Sequence, residues 1–301
     1  MRPPHDVSLP DPSACYAYQP IRPVHDAFKE SGYEAGADMP DMACAAAIVF
    51  APRARVLAWD LVARACAAIP KGAPVIVDGD KTDGIETLLR DCRKVAEVGE
   101  VFSKAHGKVF SFASPGVLDD WHTPSLDADG WQTRPGIFSA DGVDPGSALL
   151  AETLPPLSGR VCDLGAGWGY LSAKVLAASP GVTALDMVEA DRDALDCAEV
   201  NVSDPRGRPH WADATTWKGG PYDAVITNPP FHEGRRADPG LGRAFIATAA
   251  RVLAPKGRLF LVANRHLPYE AALSDAFAET MVRADARGYK VIEAARPRRR
   301  A

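Results

Sequence analysis

Three short stretches carry residue types and spacings that could do chemistry. Residues 161–170 read VCDLGAGWGY: an apolar run, an acid near its end, then Gly165, Gly167 and Gly169 at alternating positions. Glycine lets a backbone turn sharply and approach a ligand with no Cβ in the way, which suits a nucleotide-type pocket. Residues 188–201, VEADRDALDCAEVN, end an apolar strand on Glu189 and then begin a helix. An acid at that point can accept hydrogen bonds from both ribose hydroxyls of an adenosyl ligand, so the turn and the acid hold opposite sides of one molecule. Residues 224–231, AVITNPPF, close another apolar strand on Asn228, Pro229, Pro230 and Phe231. The glycine spacing alone serves nicotinamide, flavin and S-adenosylmethionine sites, and sometimes only close packing. Nothing in a nicotinamide site needs the Asn-Pro-Pro-Phe tetrapeptide.

Elements that would position these residues alternate from residue 159 onward. Strands are expected at 160–164, 183–189, 209–212, 222–227 and 257–263, with helices at 170–178, 192–201, 241–253 and 269–277 between them. Two further strand candidates, 280–283 and 289–294, would close the sheet as an antiparallel hairpin. In a doubly wound sheet the strand ends line the ligand crevice, which places Asp213 where it could meet an adenine amino group; a helix cap is the alternative use of that residue. Asn264, Arg265 and His266 end the fifth strand on the same crevice side.

The front of the chain has a similar rhythm without the glycines. A strand at 44–50, a helix at 55–69, a strand at 74–77, a helix at 80–91 and strands at 95–98 and 108–112 alternate like a parallel α/β sheet. No glycine-spaced turn follows any of these strands, and Gly79 and Gly84 around Lys81 read as a turn. The expected organisation is an α/β domain over residues 1–114 without its own cofactor site, a connection over 115–135, and a second α/β domain over 136–301. Residues 147–154 show helical spacing, and Phe138 and Ser139 before them could cover a cofactor or substrate or simply lead into the second domain.

Composition sets the outer bounds. A chain of 301 residues with 47% hydrophobic and 24% charged residues is long enough for two domains with real cores. No apolar run approaches the length of a membrane span, and the start MRPPHDVSLPDP lacks the apolar centre of a signal peptide, so a cytoplasmic location is expected. Six cysteines are scattered without a C-x-x-C pair, which argues for buried thiols rather than a metal site or disulfide framework. The net charge of -5 argues against simple electrostatic capture of nucleic acid. Its distribution is uneven: Lys plus Arg against Asp plus Glu is 14 to 19 through Gly136 and 20 to 20 afterwards.

DLGAGWG, VEADRDAL and NPPF, in this order and spacing, resemble class I S-adenosylmethionine-dependent methyltransferases that act on exocyclic amino groups. The longer NPPFHEG, the later VANRHLPY and the preceding GIFSADGVDPGSALL are more particular. They resemble the bacterial small-subunit (16S) ribosomal RNA guanine-N2 methyltransferases, the RsmC type, from about residue 136 to residue 294. The resemblance implies two tandem Rossmann-type domains, the C-terminal one a seven-stranded sheet with a closing antiparallel hairpin and the N-terminal one degenerate. It implies S-adenosyl-L-methionine held by Asp163, Gly165, Ala166, Gly167, Glu189, Asp213, Ala214 and Asn228. The catalytic set is Asn228, Pro229, Pro230 and Phe231, and the substrate contacts are Phe231, His232, Arg235, Arg236 and Arg265. The partner is ribosomal RNA or the small ribosomal subunit, with no membrane or metal, and the enzyme is expected to be a monomer. Trp168 departs from the pattern, since a small residue is common at that point of the turn.

The chemistry implied is transfer to a poor nucleophile. The exocyclic nitrogen of guanine is conjugated with its ring, so its lone pair is unavailable. Acceptors aimed at its hydrogens, the Asn228 side-chain oxygen and the Pro229 carbonyl, would favour a pyramidal nitrogen and stabilise the developing positive charge. Phe231 would stack on the flipped base.

Other targets fit parts of the pattern. A large-subunit ribosomal guanine shares NPPFH and the two-domain plan. Methylation of a protein glutamine uses Asn-Pro-Pro-Tyr, against which Phe231 and the following HEG stand, and amino-methylation of DNA has little support. From a different class, a non-catalytic RNA-binding or assembly factor could retain the cofactor fold, and a NAD-dependent enzyme is the outsider.

Overall fold

A computed structural model of the chain describes residues 1–298 except 5, 8, 43, 231, 234, 235 and 238, and at 232, 233, 236, 237 and 239 the backbone only. The chain divides into two compact units, Met1–Leu126 with Thr133–Gly136, and Asp127–Gln132 with Ile137–Ala301.

The first unit centres on a four-stranded sheet. Its elements are β1 (Ala47–Phe50), α1 (Arg55–Ala67), β2 (Pro74–Asp80), α2 (Ile85–Val95), β3 (Val98–Lys104) and β4 (Gly107–Ala113), with strand order β1-β2-β4-β3. The expectation of a parallel sheet is corrected here: β1 and β2 pair in parallel, but β4 runs antiparallel to both β2 and β3. The reversal comes from a two-residue hairpin in which Ala105 and His106 both take positive φ, 48° and 67°, the backbone twist that two-residue hairpins favour. The helix expected from residue 80 starts later. Asp80 caps a short 3-10 turn over Lys81–Asp83 through the Thr82 N–H, and α2 begins only after Gly84. Leu61, Val62, Val75, Val77, Ile85 and Phe110 form the centre of this unit's core.

The second unit holds α3 (Pro145–Thr153), β5 (Ser158–Leu164), α4 (Tyr170–Ala178), β6 (Gly181–Glu189), α5 (Arg192–Asn201), β7 (Gly207–Trp211), β8 (Tyr222–Thr227), α6 (Pro239–Val252), β9 (Leu253–Asn264), α7 (Glu270–Ala276), β10 (Phe277–Ala286) and β11 (Tyr289–Pro297). Seven strands lie in the order β7-β6-β5-β8-β9-β11-β10. The first five are parallel, and β11 is antiparallel to both β9 and β10, the expected closing hairpin. Strand order reverses between β5 and β8, the place where open α/β sheets leave a crevice beyond the carboxyl ends of their strands.

Alternation along the strands builds two cores, one on each face, as a parallel sheet covered on both sides requires. Cys162, Leu164, Val225, Leu259 and Leu261 face Phe245, Ile246 and Ala249 of α6. Val161, Ile226, Phe260 and Val262 face Leu149 and Leu150 of α3 and Leu171 and Val175 of α4. With both faces clamped, the ends of β5, β6 and β8 are held in fixed register. Among the described residues, no helix is long and apolar enough to cross a membrane.

Candidate active site

At the end of β5 the chain turns through Gly165, Gly167 and Gly169, all at positive φ. Two of them serve different purposes. A Cβ on Gly169 would fall 2.9 Å from Val202 Cγ2 and 3.1 Å from the Ala198 backbone, so this glycine allows the turn to pack on α5. A Cβ on Gly167 would meet nothing within 4 Å; its φ of 55° still disfavours other side chains, and its open side faces the cleft. Trp168, between them, is buried. Its ring packs against Trp131 at 5.5 Å and Tyr170 at 5.8 Å, which accounts for a large side chain inside the turn. Asn201 holds the same segment, donating to the carbonyls of Trp168 and Gln132 at 2.8 Å each.

Two acids frame the turn. Glu189, at the end of β6, accepts from the Gly167 N–H and the Asp191 N–H, both at 2.8 Å, one on each carboxylate oxygen. Burial pushes its carboxyl above the ordinary range, and the backbone donors oppose that shift. Each of its oxygens keeps a further lone pair, so the bonds that orient Glu189 leave it able to accept from a diol. Asp163 is 0% exposed; its Oδ2 accepts from Ser172 Oγ at 2.7 Å, while its Oδ1 has no partner. Burial pushes its carboxyl up to about 7, against the Ser172 hydrogen bond, which lowers it. An orphaned buried carboxylate oxygen costs on the order of 1–3 kcal/mol. A ligand donor reaching Oδ1 would remove that cost.

Asn228 closes the arrangement from β8. Thr227 Oγ1 donates to the Leu164 carbonyl at 2.7 Å, tying the tetrapeptide to the glycine turn. The Asn228 Nδ2 donates to Asp144 Oδ2 and to Ser147 Oγ, each at 2.9 Å. A carboxylate only accepts, so the amide's NH2 must face Asp144 and its oxygen must point the other way. Asp144 is itself fixed, because the same Oδ2 caps α3 by accepting from the Ser147 N–H at 2.7 Å. Asn228, Asp144, Ser147, Gly165, Ala166 and Gly167 line one cleft, with Phe138 and Ser139 also on its wall.

Asp144 and Ser147 are the functional residues that the motifs did not reveal. They lie in GVDPGSALL, a stretch distinctive in sequence but silent about roles. The sequence showed helical spacing only from Ser147; the Asp144 cap and its use on an amide 84 positions away come from the structure.

The remaining expected site residues are placed as follows. Pro229 is buried and Pro230 exposed. Asp213 Oδ1 accepts from Thr215 N–H and Oγ1, at 2.8 and 2.7 Å, within a turn over 214–216; no helix follows before β8, so the helix-cap use is not made, and Oδ2 lies outside those bonds. Ala214 is 3% exposed and belongs to the core. Arg265 is paired with Asp285 on the closing hairpin. Phe231 and Arg235 lie outside the described residues. For His232 and Arg236 the backbone forms a two-residue antiparallel ladder, His232–Glu233 with Arg236–Ala237. Among the described residues no group of three or more His, Cys, Asp or Glu could hold a metal ion.

A family model described as the methyltransferase small domain matches residues 130–293, more than half of the chain. The chain belongs to this family. Its match to the RsmC type extends in front of that domain. The ribosomal RNA small subunit methyltransferase C of Chromohalobacter salexigens is 32% identical over 327 aligned residues, spanning 99% of this chain and 92% of that protein. The protein of the same name from Shewanella sp. (strain MR-4) is 30% identical over 261, spanning 81% and 75%. Among solved structures, the T. thermophilus 16S rRNA N2 G1207 methyltransferase (RsmC), in complex with AdoMet and guanosine, is alike in fold. Its TM-score is 0.82 at 24% identity, over 93% of this chain and 82% of its own.

Proposed function

We propose that this methyltransferase transfers a methyl group from S-adenosylmethionine to the exocyclic N2 of a guanine in 16S ribosomal RNA. One observation carries the reading. The Asn228 amide is held through its NH2 by Asp144 and Ser147, which leaves its oxygen outside those bonds as an oriented acceptor, and Asn228 lines the cleft beside the glycine turn.

The residues present fit the methyl donor. The open side of Gly167 admits the close approach of a ligand, Glu189 offers lone pairs to a ribose diol, and the Asp163 Oδ1 lacks the donor it needs. S-adenosylmethionine, when bound, supplies a methyl on a sulfonium already activated for in-line displacement. The protein's work is then alignment and support of the acceptor. The Asn228 oxygen takes one N2 hydrogen, and the Pro229 carbonyl takes the other. Two hydrogen bonds at those positions pull the nitrogen out of conjugation and stabilise its developing positive charge. A preorganised acceptor of this kind is worth about 2.7–4 kcal/mol in comparable sites. As the new N–CH3 bond forms and the sulfonium C–S bond breaks, N2 becomes cationic and acidic and would release one proton to solvent, so no strong general base is needed; Phe231 is the residue to stack on the extruded base, a contact worth about 1–3 kcal/mol.

The first unit serves as a non-catalytic, degenerate methyltransferase-like partner of the second, with the domains as laid out from the motifs and a single chain as the working enzyme in the cytoplasm. Its strands end without a glycine-spaced turn, which supports that role.

The test is transfer of labelled methyl to unmethylated small subunits, large subunits and the corresponding protein-free RNAs, followed by nucleoside analysis. N2-methylguanosine in small-subunit RNA is expected. Label in large-subunit RNA would move the target, and label in protein would end the RNA reading.

A further inference from the structure

A second cleft in the catalytic unit lies on the helices that cover the α6 face of the sheet. Roughly 520 Å³ in size, it has an apolar floor of Ile246, Ala247, Ala250, Ala272 and Ala276, and it is edged by Arg243, Arg251 and Arg298 with one acid, Asp275. That size is in the range, roughly 300–1,000 Å³, of pockets that take organic ligands.

The charge state of these arginines sets them apart. Every other arginine side chain described in the second unit, Arg208 excepted, is paired with a carboxylate. Arg251 instead donates to the Trp217 carbonyl at 2.8 Å, and Arg298 Nε to the Phe277 carbonyl at 3.1 Å. Carbonyls hold a guanidinium in place without neutralising it. For Arg243, which is exposed, no hydrogen bond or ion pair is recorded among the described residues. Three full positive charges against one negative, on a chain of net charge -5, is a local excess that a polyanion would neutralise.

We infer that this cleft binds a single-stranded segment of the RNA substrate outside the reacting guanine, with phosphates on Arg243 and Arg298 and a base or ribose on the alanine-rich floor. The inference rests on the proposed RNA substrate and adds where on the catalytic unit that substrate is held. Arg251 is already oriented by backbone carbonyls and presents its remaining N–H groups at the edge. α6 follows the Asn-Pro-Pro-Phe segment after the ladder over 232–237, and Arg243 sits in its second turn. The floor gives no base-specific contacts, so the cleft contributes affinity and positioning rather than sequence reading.

The test uses protein-free, unmethylated 16S ribosomal RNA and the full chain, comparing wild type with Arg243→Ala, the double variant Arg243→Ala/Arg298→Ala, and Arg243→Lys. RNA affinity is measured as a function of salt, alongside KM and kcat for methyl transfer. Each lost phosphate contact on a single strand lowers the slope of log K against log salt by about 0.7. The double variant is expected to lose about 1.4 in slope and roughly tenfold in affinity at 0.1 M salt. Its KM for RNA should rise with kcat retained, and Arg243→Lys should keep most of the wild-type slope. Asp275→Asn should tighten binding. Unchanged affinity and slope in the double variant, with wild type still methylating the RNA, would overturn the inference and leave the proposed function standing. So would a loss of affinity without any change in slope, as would one that Arg243→Lys does not restore. If wild type neither binds nor methylates any RNA, the functional reading falls and this inference falls with it.

Discussion

The two units each carry a parallel strand pair with helices and an antiparallel addition, yet they differ at the strand ends, and the difference shows what a site requires beyond a fold. In the first unit Gly79 lies in β2. A Cβ there would fall 2.9 Å from both Ala51 Cβ and Ile85 Cδ1, so the glycine is spent on packing the strand against its neighbours. In the second unit, the same test at Gly167 meets nothing. The buried acids differ in the same way. Asp91 in the first unit is 4% exposed and accepts from Lys94 at 2.7 Å, Arg55 at 3.0 Å and Trp59 Nε1 at 3.2 Å. Burial alone would raise its carboxyl, but Lys94 and Arg55 outweigh it and hold it below the usual range. Asp163 is buried more fully with no cation beside it and one oxygen unpartnered, and it is pushed up to about 7. A saturated acid supports a fold; the unsaturated one beside the open glycine turn is where we propose a ligand contact.

The largest effect that would break this contrast is at Asn228. Asn228→Ala removes the fixed acceptor and should lower kcat by about 10²–10³, with little change in affinity for S-adenosylmethionine, measured by single-turnover transfer and by calorimetry. A smaller effect is expected at its supports. Asp144→Ala removes both the helix cap and the lock on the amide. It should cost about 1 kcal/mol in chemical denaturation and lower kcat on the order of tenfold to a hundredfold. Ser147→Ala keeps the backbone donor to Asp144, so its loss in kcat should be several-fold and its loss in stability smaller. Equal effects from the two variants would show that Asp144 acts only as a cap.

The glycines sharpen the comparison directly. Gly167→Ala should weaken donor binding by tenfold or more while costing about 1–2 kcal/mol of stability for its left-handed backbone. Gly79→Ala should cost stability through its clashes and leave donor affinity as it is. Reversed outcomes would mean that the first unit takes part in binding.

The smallest expected effect concerns pH. Asp163 has a folded-state value near 7 against an unfolded-chain value of about 3.9. The folded protein therefore holds the proton more tightly over that interval. The stability this supplies is complete below about pH 4 and is lost as the pH rises through about 7. Without ligand, the melting temperature of wild type should fall between pH 4 and 7 relative to that of Asp163→Asn. A difference that stays constant over this interval would contradict the upward shift that burial gives the Asp163 carboxyl.

Much of the second unit was legible in the sequence because each strand end carries its own local signal: alternating glycines after β5, an acid ending β6, Asn-Pro-Pro after β8. These lie on consecutive elements of a sheet whose order places them together, so reading them separately was enough. The lock on Asn228 was not legible, because it joins β8 to the cap of α3 across the sheet, and a cap signal does not say what else its carboxylate will hold. In the first unit three of the four strands were found but not their directions; the fourth, expected at 95–98, lies at Val98–Lys104, because α2 runs on to Val95. Its hairpin turns through Ala105 and His106, without the Asn-Gly or Asp-Gly that ordinarily marks such a turn. A helix cap was one of two readings open for Asp213 in the sequence; the structure has a turn over 214–216 and no helix there, and the Thr215 contacts close that turn.

We propose that the methyl donor is held at the glycine turn of the second unit and nowhere else in the chain. Calorimetric titration of the full chain with S-adenosylmethionine tests it most directly, with Glu189→Ala and Gly167→Ala run beside wild type. One site per chain is predicted, weakened strongly by either substitution. Two sites per chain, or a single site indifferent to both substitutions, would rule out that placement.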